Sequence, residues 1–434
     1  IWYNMLSVSE FLYCKEGQLI MFTKDKKQLN DVFPLRNNYS SQLYIQRPIL
    51  ERNFNKALDS NLCILLRGNS GCGKSWLTSY MLEKSDATYT FINLASANQY
   101  NSIYDIFLCK LNKIKTGYSE TKEAEVGIPI ARGLLQASNS YTLNYDYFVE
   151  YLKTLSGNKK YLVFDNFESI ISNNKIINEL GCLITRMDDP EIQEYTTRFI
   201  IIGTNPEIQS FFGGLPNRDT IDNRIFEMPE VKGFTIEESI KLIIEGFHAL
   251  DIRVNQCAEF CKKIQSLTNG EPQKVHELAR TIAETCHDNN VSVIDNPDFY
   301  SNELLRNSLQ QWLSTSFSNN YSYLSFEFNN NLTSSKSLYN HVLFYLAEYD
   351  KIEFTLTQFY VGMTAYFPGI EAKLSKRATN MYLKRLASLE GNNNVLIEKG
   401  REIYTIRNYK NILCLRSMLH LKDDIVCMLD ISEL

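Results

Sequence analysis

The sequence predicts an α/β fold with a covered, mostly parallel sheet, then a small helical region and a C-terminal module of helices and a hairpin. Three observations carry this prediction. Apolar runs at 62–66, 89–94, 161–164 and 199–202 are short and separated by helical segments, as buried parallel strands are. The first run leads directly into Gly68-Asn69-Ser70-Gly71-Cys72-Gly73-Lys74-Ser75 and then into a helical pattern beginning at Trp76. Beyond Met228 only helical periodicity remains until Lys399-Gly400-Arg401 interrupts two short strand-like runs.

Composition is that of an ordinary globular protein. The chain has 434 residues, 44% hydrophobic and 22% charged, enough for two or three domains. A net charge of −5 excludes a general attraction to nucleic acid or anionic lipid. No apolar run approaches the roughly 20 residues needed to span a bilayer, so no membrane partner is expected. The N-terminus lacks a basic region, apolar stretch and cleavage site in succession, so no signal peptide is expected; Ile1 in first place fits a processed, trimmed or incomplete chain. Ten scattered cysteines form no disulfide framework, which favours the cytoplasm. Cys257 and Cys261 lie four apart on an expected helix, with no second ligand pair at zinc-finger spacing.

In chain order, residues 1–37 form an N-terminal extension and residues 38–230 a phosphate-loop domain. Residues 231–300 form a helical lid, 301–335 a linker, and 336–434 a winged-helix-like domain with a tail. In the lid, Thr235-Ile236-Glu237-Glu238 is a capping box, Asn269-Gly270 a stop, and Pro272 a first-turn residue. The Asn- and Ser-rich stretch 316–335 reads as an irregular joint, and 115–145 as a polar insertion. Three helices followed by the basic hairpin are the ingredients of a winged helix.

The loop is the most informative feature. Glycines let the backbone turn its amides inward around phosphate oxygens, and the following helix adds its N-terminal dipole. Gly68 through Ser75, with Trp76, form the expected binding set. Lys74 reaches the β/γ oxygens, and the Ser75 hydroxyl ligates Mg²⁺. Tyr161-Leu162-Val163-Phe164-Asp165 supplies a strand ending in the second Mg²⁺ ligand, Asp165. Glu168 is the candidate for activating water, with a helix-start carboxylate as the alternative. Asn205, after the next strand, is a candidate γ-phosphate sensor or a turn residue. Arg224 is a candidate transition-state arginine acting on a neighbouring subunit's nucleotide, or a surface ion pair.

These residues resemble the STAND branch of P-loop ATPases and, more broadly, its AAA+ relatives. The phosphate loop, Leu162-Val163-Phe164-Asp165-Asn166-Phe167-Glu168 and Gly270-Glu271-Pro272 carry the resemblance over roughly residues 40–290. It implies an ATP/ADP-dependent switch with Mg²⁺, slow ATP hydrolysis, and a homo-oligomer assembled on ATP binding. It also implies prokaryotic signalling or anti-phage defence as a setting, and a separate sensor or effector protein as a partner. By the same resemblance Arg47 contacts the nucleotide and Pro272 faces its base or ribose. The AAA+ initiator-type relatives carry an arginine three places after the lid glycine, where this chain has Gln273, then Lys274.

The alternative function is a DNA-binding AAA+ ATPase similar to replication initiators or transposition regulators. Residues 337–418 hold 11 Lys/Arg against 7 Asp/Glu. Lys376, Arg377, Lys384 and Arg385 fall on the expected recognition helix, and Lys399 and Arg401 on the wing, a distribution suited to phosphate contact. A third reading, from the missing acid after Asp165, is a nucleotide-binding scaffold without turnover.

Overall fold

A computed structural model describes residues 28–34, 44–60, 62–115, 141–204, 218–329, 336–389 and 393–431. The chain divides into two units, one of residues 44–233 and one of residues 1–43 with 234–434. The second unit is thus assembled from two separate stretches of sequence.

In the unit of residues 44–233, helix α1 (Pro48–Asp59) precedes β1 (Cys63–Arg67), α2 (Lys74–Lys84), β2 (Thr88–Asn93), α3 (Ala95–Tyr100) and α4 (Ile103–Lys115). Then come α5 (Tyr141–Thr154), β3 (Lys160–Asp165), α6 (Asn174–Thr185), β4 (Thr197–Gly203) and β5 (Ile225–Glu227). The strands form one five-stranded sheet in the order β2-β3-β4-β1-β5, every neighbouring pair parallel. The four apolar runs are the four long strands. The short edge strand β5 goes beyond the sequence reading.

Alternation along each strand divides the apolar residues between two cores. Leu65, Leu162, Phe164, Phe199 and Ile201 pack on one side with Phe107, Phe148 and Leu180. Ile64, Leu66, Val163, Ile200 and Ile202 pack on the other with Phe54, Leu77 and Met81. Burial on both faces explains why these strands read as continuous apolar runs. Each such side chain contributes roughly 1.5–3 kcal/mol on burial.

The other unit is largely helical. Helices α7 (Ile236–Ala249), α8 (Cys257–Thr268) and α9 (Pro272–Asp288) follow the predicted caps. Thr235 Oγ1 accepts from the Glu238 amide at 3.2 Å, and Glu238 Oε2 accepts from the Thr235 amide at 2.9 Å. Asn269 and Gly270 both have positive φ, 52° and 66°, and end α8. The segment assigned as a linker is corrected by the structure: α10 (Glu303–Ser316) and α11 (Ser318–Asn329) occupy most of it, with Leu309, Trp312, Phe317 and Leu324 buried. Lys274 is buried as well. Its ammonium pairs with Glu277 at 2.8 Å and lies 5.0 Å over the Phe317 ring, while Glu277 also accepts from Ser316 and Gln273.

The N-terminal stretch belongs to this unit through Phe33, which is fully buried. Its ring meets Phe247 and His276 edge-on, at 6.2 and 5.3 Å. A Cβ at Gly246 would stand 2.3 Å from that ring, so only glycine leaves the slot open. Arg280 donates to the Phe33 carbonyl and to Asn30 Oδ1.

Burial, reinforced by the Arg280 charge and opposed by Glu277, brings the His276 imidazole down to about 4. An unfolded chain takes up that proton near pH 6.5 while the folded one does not, so stability is lost as pH falls below that value. The expected loss from this residue is about 2 kcal/mol between about pH 7 and about pH 5. Thermal melts of the parent and His276→Gln at the two pH values should show the steeper decline in the parent; parallel declines would contradict the assignment.

The C-terminal part comprises α12 (Lys336–Glu348), β6 (Glu353–Thr355), α13 (Leu356–Tyr366), α14 (Lys376–Ala387), β7 (Leu396–Gly400) and β8 (Ile403–Ile406). Strands β6, β8 and β7 form an antiparallel sheet, with β7 and β8 as the predicted hairpin. What was assigned as a tail holds α15 (Tyr409–Met418) and a second hairpin, β9 (Leu419–Lys422) with β10 (Ile425–Met428). Several basic residues expected on a DNA-facing surface have acidic partners: Arg385 with Glu327 at 2.7 Å, Lys384 with Glu398 at 3.4 Å, and Lys399 with Glu353 at 2.8 Å. Among the described residues no helix is long and apolar enough to cross a membrane, and no group of His, Cys, Asp and Glu could by itself hold a metal ion.

Candidate functional site

The loop from Gly68 to Gly73 leaves the C-terminal end of β1 and enters α2. Gly71 and Gly73 take positive φ values, 79° and 87°, that most side chains avoid. Nothing lies within 4 Å of a Cβ built on Gly73, so this side of the loop is open. Gly73 caps α2 with no side-chain hydrogen bond. The amides of Lys74 and Ser75, which have no acceptor within the helix, therefore face the loop. Gly68 is tight instead: a Cβ there would stand 2.2 Å from the Val231 carbonyl oxygen and 2.9 Å from Cys72 Sγ.

Lys74 is 8% exposed. Its ammonium donates to the Gly68 and Asn69 carbonyls, both at 2.8 Å, and sits 3.9 Å from Cys72 Sγ. Among the described residues no carboxylate lies within ion-pair reach of it. Burial pushes the Cys72 thiol up, although the Lys74 and Arg47 charges oppose this. A buried cation supported only by neutral carbonyls is incompletely compensated and favours an incoming anion.

Ser75 Oγ donates to Asp165 Oδ2 at 3.0 Å, joining the start of α2 to the end of β3. Asp165 Oδ1 accepts from the Asn166 amide at 2.8 Å, which fixes the carboxylate. Asn166 is left-handed, with φ 62°, and its side chain bonds Asn93 Oδ1 at 3.0 Å. This turn projects Glu168, an exposed residue whose Oε2 accepts from the Thr204 amide at the end of β4, at 3.1 Å. The loop, Ser75, Asp165 and Glu168 all lie at the C-terminal ends of parallel strands, where α/β sheets bind ligands.

The remaining candidates divide. Asn69 and Ser70 are exposed on the loop, and Trp76 is half-buried in the first turn of α2. Arg47 is adjacent to the loop, but its guanidinium is committed to carbonyl oxygens: Cys72 at 3.2 Å, Lys232 at 2.5 Å and Gly233 at 3.3 Å. Arg224 is not brought to the loop. Its carbonyl accepts from the Cys63 amide at the opposite end of β1, and its guanidinium holds Asp188 at 2.7 Å and the Thr220 carbonyl at 2.9 Å. Pro272 opens α9 in the other unit. Asn205 lies outside the described residues. Sequence reasoning marked Thr204 with Asn205 as the polar end of a strand but missed Asn93 and the 231–233 carbonyls; Asn93 carried a signal as a polar residue near the end of an apolar run.

A glycine-lined loop between strand and helix, its lysine folded back into the loop, and a hydroxyl facing the aspartate of a neighbouring strand define a P-loop NTPase. Residues 57–212 match the family model of an AAA domain, which makes this unit a nucleotide-binding ATPase domain of the AAA+ kind. Among solved structures, the chain is similar to a Walker-type ATPase of Pyrococcus abyssi, with 15% identity, a TM-score of 0.50, and coverage of 89% of this chain and 99% of that one. It is also similar to the ORC1 protein of Aeropyrum pernix in complex with DNA, at 12% identity and TM-score 0.45 over 91% of this chain and 98% of that one. The ADP form of the ORC2 protein of Aeropyrum pernix follows at 13% identity and TM-score 0.44, covering 89% and 98%. At these identities the likeness is one of fold. No curated protein matches the sequence.

Proposed function

We propose that the chain is a regulatory ATPase that binds ATP or ADP with Mg²⁺ at the Gly68–Ser75 loop, hydrolyses ATP slowly, and changes its assembly with the nucleotide bound. One observation supports this above the others: the Lys74 ammonium is buried among main-chain carbonyls, beside open amides at the start of α2. A phosphate tail there supplies the negative charge that the protein itself withholds.

The residues fit Mg²⁺ as well. Ser75 Oγ and Asp165 Oδ2, 3.0 Å apart, are the oxygen ligands that would hold the ion, the hard donor type it prefers. Bound there, Mg²⁺ supplies neutralisation of charge on the β/γ oxygens. Lys74 binds the same oxygens, the loop amides orient them, and Glu168 accepts a proton from the attacking water. Arg224, held by Asp188 at the far end of β1, takes no part at its own chain's loop in this reading.

Nucleotide-dependent assembly, a separate sensor or effector, and a setting in prokaryotic signalling or phage defence draw on the resemblance to STAND ATPases. The test is calorimetric titration with Mg-ATP and Mg-ADP, together with light scattering in each nucleotide. Binding of both and a larger particle in ATP are expected; no heat with either would remove the reading. DNA contact is the second reading. It draws on the exposed Arg377 and Arg401, and is weakened by the ion pairs of Lys384, Arg385 and Lys399.

A further inference from the structure

The segment leaving β5 continues alongside the end of β1 to the phosphate loop before the chain passes into the other unit at Gly233–Phe234. The Met228 amide donates to the Leu65 carbonyl at 3.0 Å, and the Val231 amide to the Arg67 carbonyl at 2.8 Å. The Val231 carbonyl occupies the space a side chain would need at Gly68. Arg47 closes the arrangement. One guanidinium nitrogen holds the Cys72 carbonyl inside the loop, and the other holds the Lys232 and Gly233 carbonyls at the exit. Arg47 is 8% exposed, and its amide donates to Glu51 Oε1 at 2.8 Å, so the fork is held from behind.

We infer that Arg47 is a positioning residue that couples the phosphate loop to the exit segment, so that nucleotide in the loop alters the freedom of the Gly233–Phe234 junction. The chemistry is specific to a planar fork. A guanidinium presents several donors in fixed directions, whereas an ammonium is a point charge that cannot bridge carbonyls so placed. A shift of the Cys72 carbonyl, as phosphate draws the Lys74 ammonium from the Gly68 and Asn69 carbonyls, would therefore be felt at the other arm of the same rigid group. This gives Arg47 a task at the junction in place of direct contact with nucleotide, and it rests on nucleotide binding at the loop.

The junction carries its own reporter. Lys232 is exposed, and the carbonyl of its trypsin-sensitive bond to Gly233 is the one Arg47 holds most closely. Cleavage there requires local opening. Limited trypsin digestion of the full chain, followed by mass spectrometry, measures its rate with and without Mg-ATP. In the parent, Mg-ATP should change the rate by at least about threefold. In Arg47→Ala the bond should be cut at least about tenfold faster and no longer respond, while calorimetric affinity for Mg-ATP stays within about threefold.

An unchanged cleavage rate in Arg47→Ala overturns the inference. So does loss of affinity beyond about tenfold, which would make Arg47 a nucleotide contact. Should Arg47→Ala melt before digestion, Arg47→Lys keeps the charge and stem, removes the fork, and is read by the same two criteria. If the parent gives no heat with Mg-ATP, the nucleotide reading fails by itself, and the nucleotide-free cleavage rates still decide whether Arg47 restrains the junction.

Discussion

Lys74→Ala is expected to lower ATP turnover by at least about 10²-fold and to weaken Mg-ATP binding by at least about tenfold, with little loss of thermal stability. The three parts of this expectation share one origin. The ammonium is buried, its partners are the carbonyls of Gly68 and Asn69, and among the described residues no carboxylate compensates it. In the free protein such a cation does little for the fold, because its desolvation is set against neutral acceptors only. With phosphate present it meets full opposite charge in a partly water-excluded place, where the attraction is stronger than in water. Steady-state phosphate release, calorimetry and a melting curve check the three parts separately. Turnover within about threefold of the parent would show that the chemistry takes place elsewhere.

Glu168→Gln is the complementary case, with turnover reduced about 10²- to 10³-fold and Mg-ATP affinity within about threefold of the parent. The amide oxygen of glutamine can still accept from the Thr204 amide, so the bond from the start of the β3 turn to the end of β4 survives. What disappears is the ability to take a proton from water. Single-turnover measurement separates this chemical defect from slow product release. Equal turnover in parent and variant would leave Glu168 as a carboxylate favoured by the start of a helical turn and nothing more. Because Lys74→Ala affects binding and Glu168→Gln does not, the pair distinguishes holding nucleotide from cleaving it.

The parts of this protein that could be read from sequence are those in which chemistry repeats locally. Strands β1 to β4 are apolar on both faces, so Ile200 and Phe199 belong to different cores yet announce the same strand. The loop announces itself because phosphate chemistry demands glycine, lysine and a hydroxyl at fixed spacing. Helix α11 hides in a stretch, 316–335, that Asn and Ser crowd, although Tyr321 and Leu324 mark a buried face; α10 lies before that stretch and carries Leu309 and Trp312 on its own buried face. Strand β5 is three residues long and offers no period to detect.

Arg47 shows a different limit. Its partners at 232 and 233 are main-chain oxygens about 185 positions away, and any residue type presents the same carbonyl. The basic residues around α14 meet a related limit. Glu327, the partner of Arg385, lies 58 positions away, so a local charge count sees the cation and not its acid.

The seat of Phe33 has a consequence for how the polypeptide acquires its shape. Arg280, which grips the Phe33 carbonyl, follows it by 247 positions. During synthesis the nascent N-terminal stretch therefore emerges long before its slot exists, while everything needed for the parallel sheet, residues 44–233, is made in the interval. The body of residues 44–233 can form first as an uninterrupted insert, and the helical body closes later, when its later helices meet a peptide made before the sheet.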